Sequence, residues 1–253
     1  MAIKICVRGK AVQLAFSILS WGAWSPEYQQ QQDWQQWQSS NCALDDSDRL
    51  APKLPQVAAM QRRRFSRLSK MMLEAAFQAE PPGQCRSVFA SRHGELNRTI
   101  ELLQDIIVRQ PLSPMGFSQS VHNTASGLFG IVTGNTGAST SVAAGTDTLS
   151  QAMLEAWAQL AEDPSPLLLV FGDDPVPPVY DEFTQEMELP LALSLLLAPA
   201  DVSGIARVTL SQQTGAGQPL SFGALLQALA NGTAIQGQLA HWHWQLEPSR
   251  EPL

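Results

Sequence analysis

Basic residues are scarce in this 253-residue chain: 16 lysines and arginines face 23 acids, giving a net charge of −7 and a pI near 5.1. That balance leaves no general attraction for nucleic acid phosphates, and no basic stripe reverses it locally. Cysteine is rarer still. Cys6, Cys42 and Cys85 are an odd number with no CxxC spacing, which argues against a disulfide framework or zinc site and fits reduced thiols in the cytoplasm. No stretch reaches the length of a membrane span, and the run from Leu189 to Ala198 is far too short for one. Lys4, Arg8 and Lys10 ahead of the apolar run Ala11 to Trp24 have the outline of a signal peptide. Within that run, however, Val12, Leu14, Phe16 and Ile18 alternate with Gln13, Ala15 and Ser17, the pattern of a strand with one buried face. With 44% hydrophobic and 15% charged residues, the chain has enough apolar side chains for a large core in a single domain spanning residues 1–253.

The periodicities that follow alternate between strand and helix. The glutamine-rich segment Tyr28 to Ser40 places Trp34 and Trp37 on one helical face, as in a surface helix pinned by two tryptophans. Asn41 to Pro55 reads as a loop because it carries Asp45, Asp46, Asp48, Pro52 and Pro55. From Val57 to Ala79, Met60, Phe65, Leu68, Met72, Ala75 and Ala76 recur at three and four, which predicts one amphipathic helix stopped by Pro81, Pro82 and Gly83. Its polar face carries Arg62, Arg63, Arg64, Arg67 and Lys70, either a solvated face or a docking patch for an acidic carrier protein. Ser87 to Ala90 is a short strand, and Glu95 to Arg109 is a helix with Leu96, Ile100, Leu103, Ile106 and Ile107 inward. Gly116 to Gly134 reads as a helix buried on most sides, Ser139 to Ala144 as a strand, and Asp147 to Ala161 as a helix. Leu167 to Phe171, ending in Gly172, Asp173 and Asp174, and Leu191 to Ala198 are strands apolar on both faces. Together these predict an α/β layer structure. After Ile205 to Leu210, residues 204–253 read as an appended unit, a helix from Ser221 to Ala230 followed by one alternating strand from Ile235 to Leu246.

Several other chemistries fail on spacing. Gly130, Gly134 and Gly137 sit in the order helix, loop, strand, the reverse of a dinucleotide-binding turn. The segment Gly116 to Ser120 lacks the closing glycine of a nucleophile elbow. His241 and His243 share a strand face but have no third ligand nearby in sequence, so no metal is expected, and His93 and His122 are equally unaccompanied. The acids Asp173, Asp174, Asp181, Glu182, Glu186 and Glu188 crowd a proline-rich stretch and read as a solvated loop.

The stretch Leu112 to Asp174 carries three landmarks in order: Ser113-Pro114 leading to Val121-His122-Asn123 and the small-residue run Thr124 to Gly127; Gly134 to Thr148, GNTGASTSVAAGTDT; and Leu167 to Asp174, LLLVFGDD. In wording and spacing they resemble the N-terminal half of the β-ketoacyl synthases, condensing enzymes of the thiolase-like superfamily. The resemblance implies one half of a thiolase-like fold, three αβα layers around a mixed, mostly parallel sheet. It also puts Thr146 where the family keeps its cysteine nucleophile. A thiolate at a helix N-terminus forms and breaks a thioester readily, and a threonine hydroxyl without a base does not. Ala144, Gly145 and Asp147 are no better placed chemically, and no cysteine follows Cys85. The family's catalytic histidines and lysine lie in a second half that has no counterpart in this sequence.

The resemblance therefore implies a non-catalytic subunit, similar to a chain-length factor, paired with a full-length ketosynthase in polyketide, aryl polyene or fatty-acid-like biosynthesis. Ser139, Thr140, Ser141, Val142, Ala143 and Ala144 would pair across a two-fold axis. Met115, Gly116, Phe117, Gln119 and Ser120 would line the partner's acyl channel, and Arg62, Arg63, Arg64 and Arg67 would meet the acyl carrier protein. No cofactor is implied. Two alternatives stand beside this one: an acyl transferase or thioester hydrolase using Thr146 or Ser118, and a homodimeric scaffold that binds carrier protein. In the complete fold the two halves share a helix layer, so an apolar helix face is expected to need cover, from Trp242 and Trp244 or from a second subunit.

Overall fold

The computed structural model describes residues 12–39, 49–184, 190–212 and 217–249. Lys4, Arg8, Lys10, Cys6, Cys42, the acidic part of the loop at residues 45–48, and Glu186 and Glu188 lie outside the described residues.

Eight strands form one sheet in the order β3-β2-β4-β5-β1-β6-β8-β7. They are β1 Gln13–Trp24, β2 Arg86–Ala90, β3 Ser139–Val142, β4 Leu167–Asp173, β5 Leu191–Pro199, β6 Ala206–Ser211, β7 Ile235–Leu239 and β8 Trp242–Pro248. The α/β class holds, but the expected parallel majority does not. Only β2 with β3 and β2 with β4 run parallel, and the other five pairings are antiparallel. Hydrophobic strands buried on both faces look alike whichever way they run, so direction was not readable from composition. The strands β4 and β5 are buried along nearly their whole length. Each fully buried leucine or phenylalanine there contributes ~1.5–3 kcal/mol relative to exposure.

On one face lie α2 (Arg67–Gln78) and α5 (Thr124–Thr133), whose Leu68, Met72, Ala76, Leu128 and Phe129 pack with Phe89, Leu168 and Val170 of the sheet. On the other lie α6 (Thr148–Glu162) and α7 (Phe222–Asn231), over Phe16, Val88, Leu169, Leu195 and Trp244. Gly22 allows the closest approach between α2 and the sheet, since a Cβ there would overlap the Ala75 carbonyl and the Gln78 side chain. The buried Ser194 hydroxyl donates to that same carbonyl at 2.6 Å.

Four expectations about elements need correction. The helix expected over residues 57–79 is two: α1 (Ala59–Arg62) ends, Phe65 turns into the core, and Ser66 starts α2 by accepting the Ser69 N–H at 2.9 Å. A serine N-cap offers the backbone a better start than continuing the helix. The buried helix expected over 116–134 is also two, α4 (Pro114–Ser118) and α5, and only the second packs into the core. The strand expected over 235–246 is a hairpin turning at Ala240 and His241. Last, α3 (Leu96–Ile107) buries Leu102 but turns Leu103, Ile106 and Ile107 to solvent.

The glutamine-rich segment forms a 3-10 helix, Gln31–Gln36, with Trp34 fully buried and Trp37 against α7 at Gly223. Trp242 and Trp244 pack into the α6–α7 side of the sheet. The outward face of α6 bears Gln151, Glu155 and Glu162 with half-buried Leu154 and Trp157, so that face is mixed in polarity rather than apolar.

Candidate functional site

Thr146, the expected nucleophile position, sits in a 3-10 turn, Gly145–Asp147, between β3 and α6. Gly145 takes φ +57°, a left-handed value that suits glycine. Thr148 fixes the turn: its hydroxyl accepts the Ala144 N–H at 2.9 Å and donates to the Gly145 carbonyl at 2.7 Å. Thr146 is exposed, and its hydroxyl has no hydrogen-bond partner among the described residues. Activation of a hydroxyl needs a base in hydrogen-bond reach, and none is there. Ser118 is no better placed, since its hydroxyl donates to the Met115 carbonyl at 3.0 Å. The Cys85 thiol is buried, which pushes its pKa up and keeps it protonated and inert. A groove of about 490 Å³ beside the turn is lined by Val142, Ala143, Ala144, Asp147, Gln151, Leu154, Glu155 and Ala158.

The two sheet edges differ. The outer side of β7 is covered by the segment before α7: the Gln238 N–H donates to the Gln218 carbonyl at 2.7 Å and the Leu220 N–H to the Gln238 carbonyl at 2.8 Å. At the other end β3 pairs with β2 alone among the described residues. Ser87 N–H donates to the Ala138 carbonyl and Ser91 N–H to the Val142 carbonyl, so by alternation the backbone groups of Ser139 and Ser141 point away from β2. The strand has no lysine, proline or buried charge to discourage further pairing.

Among the described residues, exposed large apolar side chains recur on α3 (Leu103, Ile106, Ile107), at Val108 and Leu112, at Met115 and Phe117 on α4, at Val121, and at Ile131 on α5, and of these elements it is α5 that contacts β2 and β3. Ile107, Phe117 and Ile131 are 79%, 66% and 71% exposed. Of the segment Met115 to Ser120, Met115 and Phe117 are exposed, Gly116 and Ser120 half-buried, and Gln119 is buried.

Gln119 is held by a polar network that no local pattern announces. Glu95, at the start of α3, accepts the hydroxyls of Ser66 and Ser69, each at 2.7 Å. Burial pushes its carboxyl above the usual range, only partly offset by those two hydroxyls and by Arg98. Arg98 in turn donates to Gln119 Oε1 at 2.9 Å and to the Arg64 carbonyl at 3.0 Å. His122 lies 2.8 Å from the Ser91 carbonyl, and the Ser91 hydroxyl donates to buried Asp173 at 2.7 Å. The acids Asp173 and Asp174 are therefore structural, not members of a solvated loop. These two sets of bonds tie the ends of β2 and β4 to α2, α3 and the segment before α5.

The basic cluster is partly spent inside this network. Arg67 is buried against Asp174 at 3.1 Å, which withdraws it from any docking surface. Arg62 donates to the Lys53 and Leu54 carbonyls, and the Lys70 pKa is lowered by burial and by the charge of Arg62. Arg63 and Arg64 stay exposed. The sequence-expected pair His241 and His243 does not gather further ligands, and no group of three metal-ligating side chains occurs among the described residues. His241 instead pairs with Asp147, its ring Nδ1 lying 2.6 Å from Oδ2, and it does not line the groove. No helix among the described residues is long and apolar enough to cross a membrane.

The family and the fold are shared with known proteins. A family model of the β-ketoacyl synthase N-terminal domain matches residues 34–245. Among solved structures, the chain is similar to one chain of a ketosynthase (ApeO) in complex with its chain length factor (ApeC) from Xenorhabdus doucetiae, at 26% identity and TM-score 0.75 over 92% of this chain and 99% of that one. It shares its fold with a β-ketoacyl synthase from Burkholderia phymatum, at 13% identity and TM-score 0.55 over 78% of this chain and 63% of that one. It does so too with AntDE:AntF, a type II polyketide synthase acyl-carrier protein in complex with its ketosynthase bound to the hexaketide, at 11% identity and TM-score 0.54 over 74% of this chain and 64% of that one. The chain thus spans less than two-thirds of the last two and nearly all of the first. A search of curated proteins gave no match.

Proposed function

The chain belongs to the β-ketoacyl synthase N-terminal domain family, and on that premise we propose that it is a non-catalytic partner of an active ketosynthase, similar in role to a chain-length factor. It pairs through the open edge of β3, places Met115 to Ser120 against the partner's acyl channel, and leaves condensation to the partner. The setting is polyketide, aryl polyene or fatty-acid-like biosynthesis, with acyl carrier protein met mainly by the partner and at most by Arg63 and Arg64 of this chain.

One observation carries the reading: among the described residues β3 has a partner on one side alone, it is contacted by α5 with its exposed Ile131, and it runs into the expected nucleophile position, which holds a hydroxyl with no base in reach. Backbone pairing supplies direction and register, and the apolar run supplies area; a stable interface needs roughly 1,200–2,000 Å² in total. The solved ketosynthase with its chain length factor, one chain of which this protein matches over nearly its full length, supports a partner of that kind.

Co-expression with a full-length ketosynthase from the same genome, followed by size-exclusion chromatography with light scattering, tests the proposal. A 1:1 complex is expected. Two separate peaks, or a homodimer that excludes the ketosynthase, would sink it. Incubated alone with acyl thioesters, the chain is expected to stay unacylated by intact mass, and acylation at Thr146 would favour the enzyme reading instead.

A further inference from the structure

Ala240 and His241 form the two-residue turn between β7 and β8, and Ala240 has a φ of +51°. That backbone position suits glycine; a residue with a Cβ occupies it at a cost and needs something to hold it there. What this turn delivers is a two-point grip on Asp147, a residue 94 positions away: the His241 backbone N–H donates to Oδ1 at 3.1 Å, and the ring Nδ1 lies 2.6 Å from Oδ2. The imidazole is otherwise 80% exposed, while Asp147 is 22% exposed. Asp147 ends the 3-10 turn that follows β3, and its own N–H donates to the Ala144 carbonyl at 3.1 Å. Thr146 contributes no hydrogen bond to the turn through its hydroxyl. The turn is therefore gripped from its two flanks, by Thr148 within the chain's own helix and by His241 from the far end of the sheet.

We propose that His241 is a positioning residue: it fixes the 143–147 turn, and with it the exit of β3, in the shape that the partner ketosynthase meets. The role rests on the pairing reading above. It differs from a general contribution to stability, because an exposed pair of this kind adds little to global unfolding free energy. Its effect is local, at the amides of Ala144 and Asp147.

Hydrogen–deuterium exchange on the free chain reads the grip directly. In His241→Ala the 143–147 turn exchanges about fivefold faster or more, the factor expected for loss of one net hydrogen bond, with the global unfolding midpoint unchanged. His241→Asn restores protection, since its side-chain amide N–H sits where ring Nδ1 does, whereas His241→Gln, whose amide reaches the Nε2 position, does not. His243→Ala serves as the neutral control. Affinity for the co-expressed ketosynthase falls by a similar factor in His241→Ala and returns in His241→Asn. Unchanged exchange at the turn in His241→Ala overturns the inference, and so does faster exchange with unaltered affinity. If the unmodified chain forms no complex, the pairing reading fails instead, and the exchange arm alone decides whether the grip exists.

Discussion

Arg67 and Asp174 meet at 3.1 Å with side chains only 8% and 5% exposed, although one follows the arginine run 62–64 and the other lies in an acidic stretch. Deleting the arginine would strand a buried carboxylate, which for such pairs costs about 3–5 kcal/mol. Arg67→Ala is expected at the low end of that range, because Arg49 stands 3.6 Å from the same carboxylate. Arg63→Ala and Arg64→Ala, at exposed positions, should stay within about 0.5 kcal/mol of the parent. Urea unfolding separates the two cases, and equal effects would show that the ion pair does not hold the helix start.

Glu95 gives a pH signature. Its folded-state pKa is raised above the ordinary value of 4.5 by burial, so the native state keeps a proton that the unfolded chain has already lost. The residue's contribution to stability is full below about 4.5 and is lost as pH rises through the raised folded value. Glu95→Gln retains an acceptor for Ser66 and Ser69 but does not titrate. The melting temperature of the parent relative to this variant should therefore fall as pH rises above about 4.5 and be flat below it. A difference independent of pH would remove Glu95 as the titrating group.

Pairing through β3 is tested by removing one outward N–H. Ser141→Pro deletes a donor on the open side while the ladder to β2, which uses the carbonyls of Ala138 and Val142, is left in place. Complex formation with the ketosynthase is expected to weaken at least tenfold, the size of effect that loss of a buried interface hydrogen bond brings, with the free chain's circular dichroism unchanged. Normal assembly of this variant would point to a different surface.

Phe117 separates channel shaping from folding. At 66% exposed it contributes little to the free chain, so Phe117→Ala should change stability by less than about 0.5 kcal/mol. In the complex, the same variant should shift the length distribution of the partner's products, read by mass spectrometry. An unchanged distribution would take Phe117 out of the channel wall.

Much of the layer structure was legible because local patterns and final environment agree. The alternation around β1, the doubly apolar β4 and β5, and the period of α6 all describe faces that end up buried. Where the reading failed, a pattern was real but its target was not local. The apolar stripe of α3 predicts an inward face, yet Leu103, Ile106 and Ile107 face solvent in the free chain; periodicity reports that a face is apolar, not what it meets. The break at Ser66 and the turn at Ala240 were missed for the converse reason, since a hydroxyl cap and a strained turn override continuous hydrophobic periodicity.

Taken alone, the order of residues decided the family and the α/β class, because motif wording, hydrophobic period and side-chain chemistry are all local properties. Strand direction, the covering of β7, the burial of Arg67 against Asp174 and the grip of His241 on Asp147 were decided only when the chain folded. Each depends on groups tens of residues apart meeting at hydrogen-bond distance, and no local pattern encodes which pair of distant groups will do so.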